Sequence, residues 1–172
     1  YTEEIWIRHG LRLNPKKKHK KYSGRIFDKV LPLCLISLSS ALFRKKVFEE
    51  IGGFDETLPA CEDYDFGIRF AHKFQIVLIS SPLIVKRGGH PDQLSQKYCA
   101  MDRFRVKALL KTFSLNLSPQ EEILVRQEIV RKCEILVKGY SKRNKQSQVR
   151  KYLRLIEKYW PESMSGESRT NE

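Results

Sequence analysis

The sequence predicts a mixed α/β front, reaching to about residue 96, and an all-helical back. Three observations point there. Thr2–Arg8 (TEEIWIR) alternates in the manner of a strand, and short β-branched runs recur at 75–79 and 83–85. Gly52-Gly53 closes one helical stretch just ahead of another, so helices and strands interleave in the front. Beyond residue 97 the apolar positions recur only at helical spacing, and Ser118-Pro119-Gln120-Glu121 forms a full capping box with proline at the first helical position.

In order along the chain, the strand at Thr2–Arg8 is broken by Asn14-Pro15, and a lysine-rich loop follows. A short helical stretch lies near Arg25–Val30. Pro32–Phe43 is apolar and studded with serine, which reads as a buried strand or turn-strand. Arg44–Ile51 suits a helix ended by the two glycines, and Phe54–Ala60 a loop. Glu62–His72 has helical spacing, with Phe66, Ile68 and Phe70 available for burial. Gln75–Ile79 and Leu83–Val85 suit short strands on either side of a Ser81-Pro82 turn, and Arg87–Ser95 suits a loop. Three helices follow. Tyr98–Phe113 presents Met101, Phe104 and Ala108. The helix opened by Ser118 carries Val125, Ile129, Cys133 and Leu136 on one stripe. Gln146–Tyr159 carries Val149, Leu153 and Ile156, with Trp160 beyond. The expected organisation is therefore a front at 1–96, a helical extension at 97–160 and a disordered tail at 161–172. The front strands are short and separated, as though they complete a sheet whose other strands lie elsewhere.

The 172 residues include 33 Lys+Arg against 20 Asp+Glu, a formal charge of +13, and 41% hydrophobic residues. That is too apolar for a disordered chain and too polar for a membrane bundle. No apolar run approaches the roughly 18 residues that span a bilayer, and no secretory signal is visible. Cys34, Cys61, Cys99 and Cys133 stand far apart without metal or redox spacing, as expected of buried small hydrophobes in a reducing compartment. Two basic blocks, Arg8–Lys21 and Lys138–Lys158, suit nucleic acid, anionic lipid or nucleotide phosphates, or are simply solvated faces.

Two clusters carry chemistry. Cys61-Glu62-Asp63-Tyr64-Asp65 sets three carboxylates at a helix start, where acids cap free amides and complement the helix dipole, and Asp65 stands one turn from Arg69. A carboxylate so placed, partly desolvated and facing a cleft, also suits a general base. Lys86-Arg87-Gly88-Gly89-His90 combines two cations, two glycines and an imidazole, which suits a loop closing on an anion or a metal.

Taken together, GGFDE, then EDYD with Arg69 four residues after its last Asp, a short strand, and Arg87-x-x-His90-x-x-x-x-Ser95 resemble the C-terminal half of family 2 glycosyltransferases. The stretch EEIWIRHGLRLNPKKKHKKYSG followed by LPLCLISLSSALFRKKVFEEIGGFDETLPACEDYD is similar to a bacterial subgroup of that family, so the resemblance runs from about Thr2 to Phe113. It implies part of an A-type glycosyltransferase sheet and an inverting enzyme that uses a nucleotide-sugar donor and a divalent metal, Mg or Mn. It implies Asp63 as base with Glu62 as second choice. Lys86, Arg87 and His90 would bind the diphosphate, with His90 as a metal ligand. Ser39, Ser40 and Asp65 would border the acceptor, a glycan or lipid-linked hydroxyl. A cytoplasmic setting at the inner face of a membrane is implied, with peripheral contact to anionic lipid. The chain departs from the pattern in three ways: no metal-binding Asp-x-Asp precedes Tyr1, Leu38 stands where proline is usual, and Gly67 stands where an aromatic is usual. A nucleotide-binding half, on the order of 100 residues, is therefore expected outside this chain, leaving it inactive alone. The alternative is a non-catalytic basic module for nucleic acid or anionic membrane.

Overall fold

The computed structural model describes residues 1–89 and 97–160. His90, the rest of the loop to residue 96 and the tail at 161–172 lie outside the described residues. Two strands form a hairpin at the start: β1 (Thr2–Arg8) and β2 (Leu11–Leu13), joined by His9-Gly10. Both turn residues have positive φ, 49° and 79°, as a two-residue hairpin of the primed type demands. β3 (Ile79–Gly88) pairs parallel to the other edge of β1, giving the order β2-β1-β3.

β3 differs from the expected pair of short strands. It runs continuously through Ser81-Pro82, and the pairing irregularity between Thr2 and Glu4 accommodates the proline opposite Glu3. Edge strands and bulges are where a missing N–H is tolerated. The expected strand at 75–79 shrinks to a single bridge between Ile76 and Gly24. The segment 32–43, expected as a buried strand or turn-strand, forms no strand and is irregular with one tight turn at Leu38–Ser40. The Ser37 carbonyl accepts both the Ser40 N–H and its hydroxyl there, and such local bonds compete with a ladder.

Six helices stand among the described residues: α1 (Phe27–Val30), α2 (Lys45–Ile51), α3 (Glu62–Lys73), α4 (Asp102–Lys111), α5 (Pro119–Ser141) and α6 (Gln146–Tyr159). α2 ends on Gly52 at φ 86°, a left-handed cap. α4 begins later than expected because Ala100 takes a positive φ of 54°. α5 opens with the full capping box foreseen at Ser118. On α6 the buried stripe is Val149 and Tyr152, not Leu153, which is 47% exposed; the helix is turned by about one residue from the expected register.

α3 is the centre of the fold. Tyr64, Ile68 and Ala71 join a core that runs through Ile26, Val106, Leu109, Val125, Ile129, Cys133 and Tyr152. Phe66 faces the other way, fully buried beneath Phe43, Phe48 and Phe54 with ring centroids 5.0–5.4 Å away. The buried Lys132 of α5 ties the helical back to the front. Its ammonium donates to the Pro32 carbonyl (3.1 Å), pairs with Glu128 (2.9 Å) and lies over the Tyr64 ring. Tyr64 in turn donates its hydroxyl to the Leu31 carbonyl. Cys61 and Cys133 are buried as expected, but Cys99 is exposed, and no cysteine is bonded to another among the described residues. The three-stranded sheet, by contrast, leaves Leu11, Leu13, Ile79, Leu83 and Val85 open to solvent.

Candidate functional site

The alternation of TEEIWIR decides the first wall of the site. Period two puts Thr2, Glu4 and Trp6 on one face of β1. Glu4 turns into the protein, where its side chain is 2% exposed and pairs with Lys21 at 3.0 Å. Trp6 Nε1–H and the Ser40 hydroxyl also donate to that carboxylate. Burial alone would raise the Glu4 carboxyl, but bonds from serine hydroxyl, the Lys21 ammonium and the Trp6 indole outweigh it and hold it at about 2. The Lys21 ammonium donates further to the Thr2 carbonyl at 2.6 Å, so this buried pair locks β1 to the end of the lysine loop.

A cleft of about 570 Å³ opens beside this pair. β1 contributes Glu4 and Trp6; the lysine loop, His19 and Lys21; the serine segment, Cys34, Ser37 and Ser39; α3, Asp63; β3, Lys86; and α4, Arg105. His19 packs edge-on against Trp6 at 5.0 Å, and burial, then Lys18, Lys16 and Lys86, lower its pKa, which favours neutral imidazole. The Lys86 ammonium donates to Ser37 Oγ (3.2 Å), which sits 3.2 Å from Ser39 Oγ. Arg105 donates to Asp102 at 2.9 Å, while its buried Nε has no partner among the described residues.

Asp63 lies in the first turn of α3, which begins directly after Cys61 in a left-handed conformation at φ 65°. Its carboxylate accepts the Tyr64 N–H at 2.7 Å and forms no ion pair among the described residues. Cys34 stands beside it: burial first, and then Asp63, push that thiol well up, so it stays protonated, and it donates to the Ile36 carbonyl at 3.6 Å. A carboxylate in an open cleft, flanked by a neutral thiol and with cations across the gap, can take a proton from a bound hydroxyl.

The other expected site residues fall in different places. Glu62 is half-buried next to Asp63 but does not line the cleft. Ser39 lines the cleft, whereas Ser40 is buried and its hydroxyl is spent on Glu4 and the Ser37 carbonyl. Asp65 is 2% exposed and both its oxygens are engaged: Arg69 donates twice to Oδ2 (2.9 and 2.7 Å) and Lys111 once to Oδ1 (2.7 Å). Arg69 also donates to the Ile51 and Gly53 carbonyls, and Lys111 also reaches Asp55 at 2.6 Å. GGFDE and EDYD are thus clamped together, which holds the helix start that presents Asp63. Arg87 is in β3, not in a loop, and strand alternation turns its side chain to the face opposite Lys86. His90 lies outside the described residues.

Among the described residues no three His, Cys, Asp or Glu side chains come together to hold a metal ion. Within the cleft Glu4 is already paired with Lys21, so Asp63 has no carboxylate partner for an ion. These residues alone do not fit a divalent metal. No helix among the described residues is long and apolar enough to cross a membrane.

An α/β body with a carboxylate at the start of its central helix, aimed into a cationic cleft, suits group transfer to a hydroxyl. The family model described as glycosyltransferase like family 2 matches residues 24–130, more than half of the chain, and the chain belongs to that family. The match begins after the hairpin and lysine loop and reaches into α5. Neither the curated proteins nor the solved structures contain a match.

Proposed function

We propose that this chain forms the acceptor side of an inverting sugar transferase, which moves a sugar from a nucleotide-sugar to an acceptor hydroxyl. The observation that carries the reading is Asp63, free of cationic partners among the described residues and sharing one cleft with Lys86, Ser37 and Ser39. The acceptor hydroxyl oxygen attacks the anomeric carbon, and its proton passes to the Asp63 carboxylate. The bond from that carbon to the diphosphate breaks, and the diphosphate leaves with the electron pair, its charge offset by Lys86 and Arg105. Ser37 and Ser39 hydrogen-bond the sugar hydroxyls. Glu62, one residue away, is the second choice for base. Asp65 and Ser40 position the machinery and make no contact with substrate.

The exposed apolar residues of β2 and β3 support the further reading that donor-binding strands complete this sheet, so that residues 1–172 do not transfer sugar by themselves. The test is turnover of radiolabelled UDP-, GDP- and dTDP-sugars by the full-length gene product, with the anomeric configuration of the product read by proton NMR. Inverted product, absent when residues 1–172 are assayed alone, is expected. Retained configuration, or no turnover of any donor, overturns the transferase reading. Turnover by residues 1–172 alone overturns the acceptor-side reading.

A further inference from the structure

A second concavity, of about 770 Å³, lies between α4 and α6 and has no part in the chemistry above. Four cations line it: Arg103 and Lys107 from α4, Lys145 from the turn before α6, and Lys151 from α6. No carboxylate lines it among the described residues. Interleaved with the cations are four aromatic rings, Tyr98, Phe104, Tyr140 and Tyr152. Tyr140 and Tyr152 stack at 5.7 Å with planes 5° apart, which fixes both rings. The Arg103 guanidinium lies over Phe104 at 4.5 Å, and its buried Nε has no hydrogen-bond partner among the described residues. Elsewhere in the molecule buried cations are matched by acids, as Lys21 is by Glu4 and Lys132 by Glu128. Here Arg103 is half-buried and the three lysines are exposed; Lys107 donates to the Thr57 carbonyl and hydroxyl at 3.1 Å, and none of the four pairs with an acid among the described residues.

The shape and chemistry narrow that ligand. Unmatched cations select an anion. Fixed aromatic faces select flat or ring-shaped apolar surface, such as the C–H face of a sugar. A trough between two helices admits a single chain, whereas a bilayer surface is broad and flat. α4 also ties the groove to the cleft: Arg105 lines the cleft, and Arg103, Phe104 and Lys107 line the groove, so the two sites flank one helix of about 10 Å diameter.

We propose that this groove binds an anionic stretch of the acceptor saccharide, bearing carboxylate or phosphate groups, away from the reacting hydroxyl. The assignment rests on the transferase reading for its choice of saccharide over other polyanions. Its test is binding, measured apart from turnover, by fluorescence anisotropy on the full-length protein. The probes are labelled hexagalacturonate, neutral maltohexaose, a six-base oligothymidylate and phosphatidylglycerol vesicles.

Hexagalacturonate is expected to bind at least tenfold more tightly than maltohexaose, and to weaken on going from about 50 mM to about 300 mM salt. Lys145→Gln with Lys151→Gln, both at exposed positions, is expected to weaken it at least tenfold, as is Arg103→Gln, with circular dichroism unchanged. Asp63→Asn is expected to bind like the wild type. Equal affinity for the neutral hexamer, or full affinity in the lysine double variant, overturns the proposal. Tighter binding of oligothymidylate or of vesicles also overturns it, in favour of a nucleic-acid or membrane site. Saccharide binding without sugar transfer leaves the groove standing and removes the transferase reading; transfer with no groove-dependent binding does the reverse.

Discussion

Glu4→Gln is the variant that exposes how the cleft is held together. In the native protein the Glu4 carboxyl is held at about 2, against 4.5 for an ordinary glutamate. At 1.36 kcal/mol per pH unit, that difference amounts to about 3 kcal/mol of stability at neutral pH. The group is depressed on folding, so the unfolded state binds the extra proton, and stability rises with pH. The contribution is complete above pH 4.5 and is lost as the pH falls from 4.5 toward 2. Urea unfolding of the wild type between pH 7 and pH 3 should show this loss, and Glu4→Gln should flatten that part of the curve. Lys21→Met leaves the 2%-exposed carboxylate without its counter-charge and should cost about 3–5 kcal/mol at pH 7. The double variant should lose less than the sum, because neither charge is then stranded. Parallel pH curves for wild type and Glu4→Gln, or a Lys21→Met protein within about 1 kcal/mol of wild type, would refute the reasoning.

Arg69→Ala removes two carbonyl bonds and one of the two cations on Asp65, leaving Lys111 as its partner, and urea melts should show a loss of about 1–3 kcal/mol; a loss below about 0.5 kcal/mol contradicts the clamp. Gly67→Ala should stabilise α3 by about 0.5–1 kcal/mol in thermal unfolding, because a Cβ there meets the Ile36 Cδ1 at an ordinary 3.6 Å. A lower Tm would show that the contact is tighter than it looks. Lys86→Ala should raise the donor KM roughly 10–100-fold, the worth of one charge-assisted bond to the diphosphate; an unchanged KM removes Lys86 from that role.

Legibility in the sequence followed how local each determinant is. The capping box at Ser118 and the glycine terminator at Gly52 are set by neighbours within a few residues, and both formed where the sequence placed them. The Asp65–Arg69 pair, four apart on one helix, was legible for the same reason. The hairpin at His9-Gly10 was missed because histidine gives little warning of a positive φ, and β3 was split because proline usually interrupts a ladder. In the cleft, Asp63, Lys86 and Ser39 were among the residues named from the sequence. Glu4 and Trp6 were readable in principle, since strand alternation sets them on one face. Lys21, Cys34, His19 and Arg105 reach the cleft only through tertiary packing, and no local pattern marks one lysine of a basic run as the buried partner of a distant glutamate.

The Asp63 carboxylate bears the whole chemical reading. Steady-state sugar transfer by the full-length protein with Asp63→Asn tests it most directly, since asparagine keeps the shape and removes the basicity. A fall in kcat of about 10²–10⁴ with little change in donor KM is the predicted result. A variant that keeps more than about a tenth of the wild-type kcat would contradict Asp63 as the base.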